Sequence, residues 1–298
     1  MTFREIYSQN RPIFSFEFFP PKEARQLDQT KQLISELTEL NPDFMTVTYG
    51  AGGGKRALTQ ELVAFIQNNL QREAVAHLTA VGHSAAEIKE LLMEYRAQGI
   101  EHILALRGDI PKEPEALKSG RFSCARDLVH YIKDFGGFSI AVAGYPETHQ
   151  DAESPAADIS YLREKCDAGA EVIMTQLFFD PALYLQFVER CRAQGITAPI
   201  VPGILPIRDL SQLLRVISLC GASIPEKLEA ELVLRKEDKA ELLSFGTEYT
   251  IKLCKELLAA GAPGIHLFTL NNSLQSREVF NAIRSPQPEP SVEHLGRR

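Results

Sequence analysis

Glu17 stands inside an aromatic run, Ile13-Phe14-Ser15-Phe16-Glu17-Phe18-Phe19-Pro20-Pro21, where a buried strand has least use for a charge. Alternation puts Phe14, Phe16 and Phe18 on one face of this strand and Ser15 and Glu17 on the other. Pro20-Pro21 ends it, because proline supplies no ladder donor and restricts the residue before it. A carboxyl among apolar neighbours is a general acid in the making, since losing water disfavours the charged form of any such group. A strand-end glutamate paired with a lysine or arginine would serve structure alone, so this residue by itself leaves both readings open.

Other polar residues recur at matching places. Strand-like runs lie at Phe44–Tyr49, Ala74–Thr79, His102–Arg107, Phe138–Tyr145, Glu171–Phe178, Pro199–Leu205 and Gly264–Leu270. They end in Thr48-Tyr49, His77-Leu78-Thr79, Arg107-Gly108-Asp109, Tyr145 to His149, Thr175-Gln176 and Asn271. Any one of these could be a helix cap or a turn residue, but the coincidence is poorly explained that way. Helical patterns at Ala85–Gln98, Ala125–Asp134, Asp158–Ala168, Pro181–Ala193 and Leu210–Leu219 separate the runs, and Gly99, Gly169 and Gly195 stand where helices stop.

About eight strands, each followed by a helix, predict an α/β fold of the (β/α)8 TIM-barrel class, with chemistry at the C-terminal strand ends. Helical stretches at Glu226–Leu234 and Glu237–Ala260 predict extra helices inserted after the seventh strand. A doubly wound sheet would want a glycine-rich turn after its first strand, and Pro20-Pro21-Lys22 is not one. Residues 1–284 read as one barrel domain, and 285–298, with Pro286, Pro288 and Pro290, as a flexible tail.

Composition narrows the function. The net charge of −7 over 298 residues gives no electrostatic footprint for nucleic acid or an anionic membrane. Five scattered cysteines without a Cys-x-x-Cys spacing read as reduced thiols of a cytoplasmic protein. No run approaches the ~20 apolar residues of a membrane span, and the first residues lack a signal-peptide pattern. Gly50-Ala51-Gly52-Gly53-Gly54-Lys55 fails as a phosphate loop, because Tyr49 occupies the first glycine position and Arg56 the magnesium-binding hydroxyl position. It reads as a mobile loop. No strand-end lysine stands out for a Schiff base and no metal-ligand spacing is evident, which weakens aldolase and metal-dependent hydrolase readings and suits an organic cofactor that does the redox work itself.

Phe16-Glu17-Phe18-Phe19-Pro20-Pro21, Val47-Thr48-Tyr49-Gly50-Ala51, Ala76-His77-Leu78-Thr79, Ala105-Leu106-Arg107-Gly108-Asp109, Tyr145-Pro146-Glu147, Thr175-Gln176-Leu177-Phe178-Phe179-Asp180, Pro202-Gly203-Ile204-Leu205-Pro206 and Phe268-Thr269-Leu270-Asn271 together resemble the bacterial methylenetetrahydrofolate reductase family. The resemblance runs in order from about residue 13 to residue 284. It implies a cytoplasmic, FAD-dependent homo-oligomer of one-carbon metabolism and methionine biosynthesis. Such an enzyme reduces methylenetetrahydrofolate to methyltetrahydrofolate by a ping-pong route, with NADH or NADPH as donor. Glu17 matches the general acid and Asp109 a second catalytic residue near flavin and folate. Flavin contacts carry over to Tyr49, Ala51, His77, Arg107, Gly108, Asp109, Tyr145, His149, Ala152, Asp158 and Lys165. Substrate contacts carry over to Thr48, Asp109, Gln176 and Gln212. The chain departs from the family at Cys124, where a tyrosine is common, at Tyr161 and Glu164, and at Asn272, where an arginine is usual. Two other readings use the same residues: a flavin barrel that oxidises an imino acid such as proline, and a non-catalytic folate or flavin binder.

Overall fold

The computed structural model describes residues 1–49, 53–108 and 122–284. Its strands are β1 (Ile13–Phe18), β2 (Phe44–Val47), β3 (Ala74–Thr79), β4 (His102–Leu106), β5 (Ser139–Gly144), β6 (Val172–Thr175), β7 (Ile200–Val201), β8 (Gly203–Ile204) and β9 (Gly264–Phe268). All pair in parallel, in the order β7-β6-β5-β4-β3-β2-β1-β9-β8. The two ends of this list are the two halves of one stave. β7 pairs with β6 through Ile200 and Val201, and β8 pairs with β9 through Gly203 and Ile204. Pro202 stands between them, and its carbonyl accepts from His266 N at 3.0 Å. Proline has no N–H to give, so the ladder changes partner there and the sheet closes into a barrel. The predicted unbroken strand at Pro199–Leu205 is therefore split.

The α-helices are α1 (Phe3–Tyr7), α2 (Leu27–Thr38), α3 (Gly53–Ala64), α4 (Ala85–Ala97), α5 (Ala125–Phe135), α6 (Pro155–Asp167), α7 (Pro181–Ala193), α8 (Leu210–Cys220), α9 (Glu226–Leu234), α10 (Lys239–Ala259) and α11 (Ser273–Arg284), with a short 3-10 turn at Ala24–Gln26 and a π-helical turn at Phe65–Asn69. The outward residues of the strands, Phe14, Phe16 and Phe18 among them, pack with helix residues such as Ile34, Leu62, Leu91 and Phe280 in the main apolar layer. Gly99, Gly169 and Gly195 follow α4, α6 and α7 with φ of 72°, 126° and 76°, the left-handed stop their sequence positions announce. The inserted helices α9 and α10 bury Leu228, Leu232 and Leu242, beside Leu213 of α8, against Leu177, Phe179, Leu205 and Ile207.

Two features differ from the sequence expectation. Part of the glycine run read as a mobile loop is helix, since α3 begins at Gly53. In addition, α1 plugs the N-terminal end of the barrel. Phe3 and Ile6 lie buried among Ile13, Phe44, Val75, Leu104, Ala141, Val172 and Val201, and Phe3 N donates to Ser139 Oγ at 2.8 Å. Five residues carry too little periodicity to signal such a helix. The proline-rich segment read as a tail lies outside the described residues.

Closure depends on a close approach at Gly203. A Cβ there would sit 2.2 Å from the Thr175 carbonyl oxygen and 2.7 Å from the Phe268 ring, and Gly203 N donates to Thr175 Oγ1 at 2.9 Å. Backbone cannot yield as a side-chain tip can. Gly203→Ala is expected to lower stability by about 3 kcal/mol, the upper range for forced overpacking; urea denaturation measures it, and a midpoint equal to the parent's would contradict the closure described.

Candidate active site

Alternation carries through each strand into the lumen. Ile13 and Phe44 lie in the lumen cluster, so Ser15 and Glu17 on β1, and Thr46 on β2, face the same interior. Val75 places His77 inward on β3 by the same rule, and His266 faces inward on β9 as the Cα partner of Ser15. The acid is caged there. Glu17 is 7% exposed, and its Oε2 lies 3.4 Å from His266 Nε2 and 3.5 Å from His77 Nε2. His266 Nδ1 is hydrogen-bonded to Ser15 Oγ at 2.8 Å. With Glu17 ionised, Nε2 of His266 carries the proton and donates to the carboxylate, while Nδ1 accepts from the Ser15 hydroxyl. Thr269 fixes the backbone of the acid, its Oγ1 donating to Glu17 O at 2.6 Å. Asn271 clasps the next turn, accepting from Phe19 N at 3.0 Å and donating to Phe19 O at 2.9 Å.

His77 is neutral in this setting. Burial pushes its pKa down to about 4, outweighing the pull of Glu17, and His266 adds to the fall. Its Nε2 makes no hydrogen bond among the described residues.

A second group of polar residues gathers along the ends of β4 and β5. Arg107 pairs with Asp151 at 2.7 Å, which holds the Asp151 carboxyl below its usual range. His149 stacks edge-on against Tyr145 with centroids 4.5 Å apart, and its Nδ1 accepts from Asp151 N at 3.0 Å. Burial lowers the His149 pKa, and the Arg107 charge lowers it further. Asp158 Oδ2 accepts from His149 N at 2.9 Å, and Ala152 N donates to His149 O at 2.9 Å. Behind them lies Lys165 on α6, 5% exposed, its Nζ donating to Ala143 O at 2.6 Å. No carboxylate among the described residues lies within 4.0 Å of that ammonium, and burial pushes its pKa down to about 8. Gly108 has φ +85°, and a Cβ on it would meet the Thr79 side chain at 3.0 Å. Glycine suits this position because the backbone is left-handed and Thr79 packs closely against it.

The remaining residues singled out from sequence are spread around the rim. Thr48 is held through its backbone, N to Phe18 O at 2.9 Å and O to Thr59 Oγ1 at 3.0 Å. Tyr49 packs against the outer apolar layer and turns its hydroxyl to His83 Nε2 at 2.7 Å. Gln176 Oε1 accepts from Leu177 N at 2.9 Å. Gln212 lies in the first turn of α8, where Asp209 Oδ1 caps its N–H at 2.9 Å. Ala51 and Asp109 lie outside the described residues. At the departures, Glu164 pairs with Arg126 at 2.7 Å, and Lys165 Nζ stands 5.5 Å from the Tyr161 ring centre.

His266, Ser15, Thr269, His83 and Asp151 escaped a reading confined to strand ends. The signal for His266 was its alternation with Phe268 inside an otherwise apolar strand.

The family model for methylenetetrahydrofolate reductase matches residues 2–284. The chain belongs to the methylenetetrahydrofolate reductase family. It is 37% identical over 275 residues to the 5,10-methylenetetrahydrofolate reductase of Pectobacterium carotovorum subsp. carotovorum, covering 92% of this chain and 91% of that one. It is 36% identical over 270 residues to the enzyme of the same name from Escherichia coli (strain K12), covering 90% of each. The probable methylenetetrahydrofolate reductase (NADH) of Oryza sativa subsp. japonica is 39% identical over 281 residues. The chain spans about half the length of that plant relative, 47% of it against 90% of this chain. Among solved structures, an uncharacterized protein from Clostridium thermocellum that binds two copies of 5-methyl-5,6,7,8-tetrahydrofolic acid superposes with a TM-score of 0.70 at 12% identity, covering 95% of this chain and 98% of that one. At that identity the likeness shows the barrel alone. Among the described residues no cluster of three or more His, Cys, Asp or Glu could hold a metal, and no helix is long and apolar enough to cross a membrane.

Proposed function

We propose that this member of the methylenetetrahydrofolate reductase family reduces methylenetetrahydrofolate to methyltetrahydrofolate with NADH or NADPH as the electron source, using a bound FAD. The observation that carries the reading is the caged carboxyl of Glu17, buried at the C-terminal end of the barrel between two imidazoles. A protein that only binds folate has no need of a proton donor held in this way.

The residues present fit a dinucleotide flavin. Lys165 is a buried ammonium whose hydrogen-bond partner among the described residues is a backbone carbonyl, which suits a pyrophosphate oxygen. Arg107 is held ready by Asp151, and Tyr145 and His149 offer ring faces and edges. When bound, the cofactor supplies hydride transfer from the reduced nicotinamide to the one-carbon unit of the folate.

The protein's own residues do the rest. Glu17 donates the proton that the folate ring nitrogen needs as its five-membered ring opens. His266, oriented by Ser15, then donates a hydrogen bond to the carboxylate that remains. His77 contributes a neutral edge and adds no competing charge. Asp109 supports the cationic carbon by charge, and Gln176 and Gln212 bind the folate. Thr48 meets the nicotinamide, and both substrates take turns in the same mouth. Barrel strands fix the acid and its imidazoles on rigid elements, so little reorganisation is required during the reaction.

The test is spectroscopic. The purified protein should carry, or take up, FAD with visible absorbance that bleaches on anaerobic addition of reduced nicotinamide and returns with methylenetetrahydrofolate. Bleaching without return on folate would favour the proline-oxidising alternative or a plain binder.

A further inference from the structure

Thr46 is a hydroxyl where a strand of this kind would take valine. It lies on β2 between Met45 and Val47, is fully buried, and its Oγ1 has no hydrogen-bond partner among the described residues. Leaving a buried hydroxyl unsatisfied costs about 1–3 kcal/mol, whereas valine in the same shape costs nothing of the kind. Such a group calls for an explanation.

Its place in the barrel supplies one. Thr46 is the Cα partner of Glu17 on one side and of Val75 on the other. Glu17 on β1 and His77 on β3 reach each other at 3.5 Å across the intervening strand, which is β2. Thr46 faces the lumen from β2, between the two strands that carry that contact. His77 Nε2, also buried, is the second polar atom there without a hydrogen-bond partner among the described residues. Two buried polar atoms without partners, on lumen-facing residues of adjacent strands beside the Glu17 carboxyl, are the kind of partners one buried water requires.

We propose that Thr46 is a positioning residue for Glu17, holding with His77 Nε2 and the Glu17 carboxyl a single enclosed water beside the acid. The hydroxyl of Thr46 donates to the water, which donates one hydrogen to His77 Nε2 and the other to Glu17. No bond to the water is made or broken when the acid acts: the O–H bond of Glu17 breaks, an N–H bond forms on the folate, and the water's hydrogen bond strengthens on the carboxylate left behind. The other groups facing Glu17 are His77 from β3 and His266 from β9, so with Thr46 on β2 the cage draws on three strands besides β1. This assignment rests on the folate reaction proposed above.

Thr46→Val keeps the branched shape and removes only the hydroxyl. In anaerobic half-reaction kinetics on the FAD-loaded protein, it is expected to slow folate-driven reoxidation about ten- to a hundredfold, the loss of the water-mediated hydrogen bond that the Thr46 hydroxyl anchors on the Glu17 carboxylate. It should also displace the pH limb of that step, while Thr46→Ser restores both rate and limb. A Thr46→Val protein with parental rate and pH limb would overturn the assignment, as would valine and serine variants that are equally slow. A crystal structure at high resolution decides the matter without turnover: a water within hydrogen-bond distance of Thr46 Oγ1, His77 Nε2 and Glu17 supports it, and its absence refutes it. If the parent itself is not reoxidised by methylenetetrahydrofolate, the proposed reaction fails, and the crystallographic result still judges the water.

Discussion

Glu17→Gln should reduce the folate half-reaction about a thousandfold while leaving flavin reduction by nicotinamide largely intact. The amide keeps the shape of the side chain and can still meet His266 Nε2 and His77 Nε2, so the cage persists, but it has no acidic proton to give. Loss of a positioned general acid costs about 10²–10⁴ in rate. The asymmetry is the point of the experiment. Hydride arrival from nicotinamide needs no proton from this carboxyl, whereas opening of the folate ring does. Stopped-flow absorbance of the two half-reactions reads both numbers from one preparation. An equal fall in each would mean that Glu17 serves only to shape the mouth.

The second large effect is expected at Lys165. Replacing it with methionine keeps the length and apolar bulk of the side chain and removes a charge that the fold buries without a carboxylate partner among the described residues. FAD should then bind about a hundredfold more weakly, as expected for losing a charge-assisted bond to phosphate. The protein without flavin should be no less stable, because the methionine carries no desolvation penalty. Flavin fluorescence titration and thermal melts separate these outcomes; an unchanged dissociation constant would remove Lys165 from the cofactor site.

A pH dependence follows from the same residue. Burial lowers its pKa from 10.5 to about 8. Between those values the unfolded chain binds the extra proton, so stability from this group rises with pH across the window. It is lost again as pH falls through about 8. Flavin binding runs the other way, because the protonated amine is the form that holds phosphate, and affinity should weaken as pH rises above about 8. A protein whose FAD affinity is flat from pH 7 to 10 would contradict this.

Much of the barrel was legible because each stave announces itself locally. The phenylalanine alternation of β1 fixed which way Glu17 points, and glycines with positive φ marked the ends of α4, α6 and α7. The inserted helices were visible from their apolar spacing. What escaped was non-local. The split at Pro202 reads as an ordinary strand until one asks which neighbour each half pairs with, and pairing is a property of the closed sheet. His266 lies far from Glu17 in sequence, and nothing near it in the chain announces that the barrel will bring the two side chains together. Tyr49, at a strand end, packs its ring against the outer layer and sets its hydroxyl on His83, contacts that the strand-end pattern alone does not announce.

One consequence of closure concerns synthesis rather than turnover. β1 leaves the ribosome early, but the partners that complete the cage of its acid, His266 and Thr269, belong to the last strand and the turn after it. The buried carboxyl therefore acquires its setting only when nearly the whole polypeptide has emerged. A nascent or truncated product that stops before residue 264 lacks His266 and Thr269, and with them the contacts that hold Glu17 in the barrel.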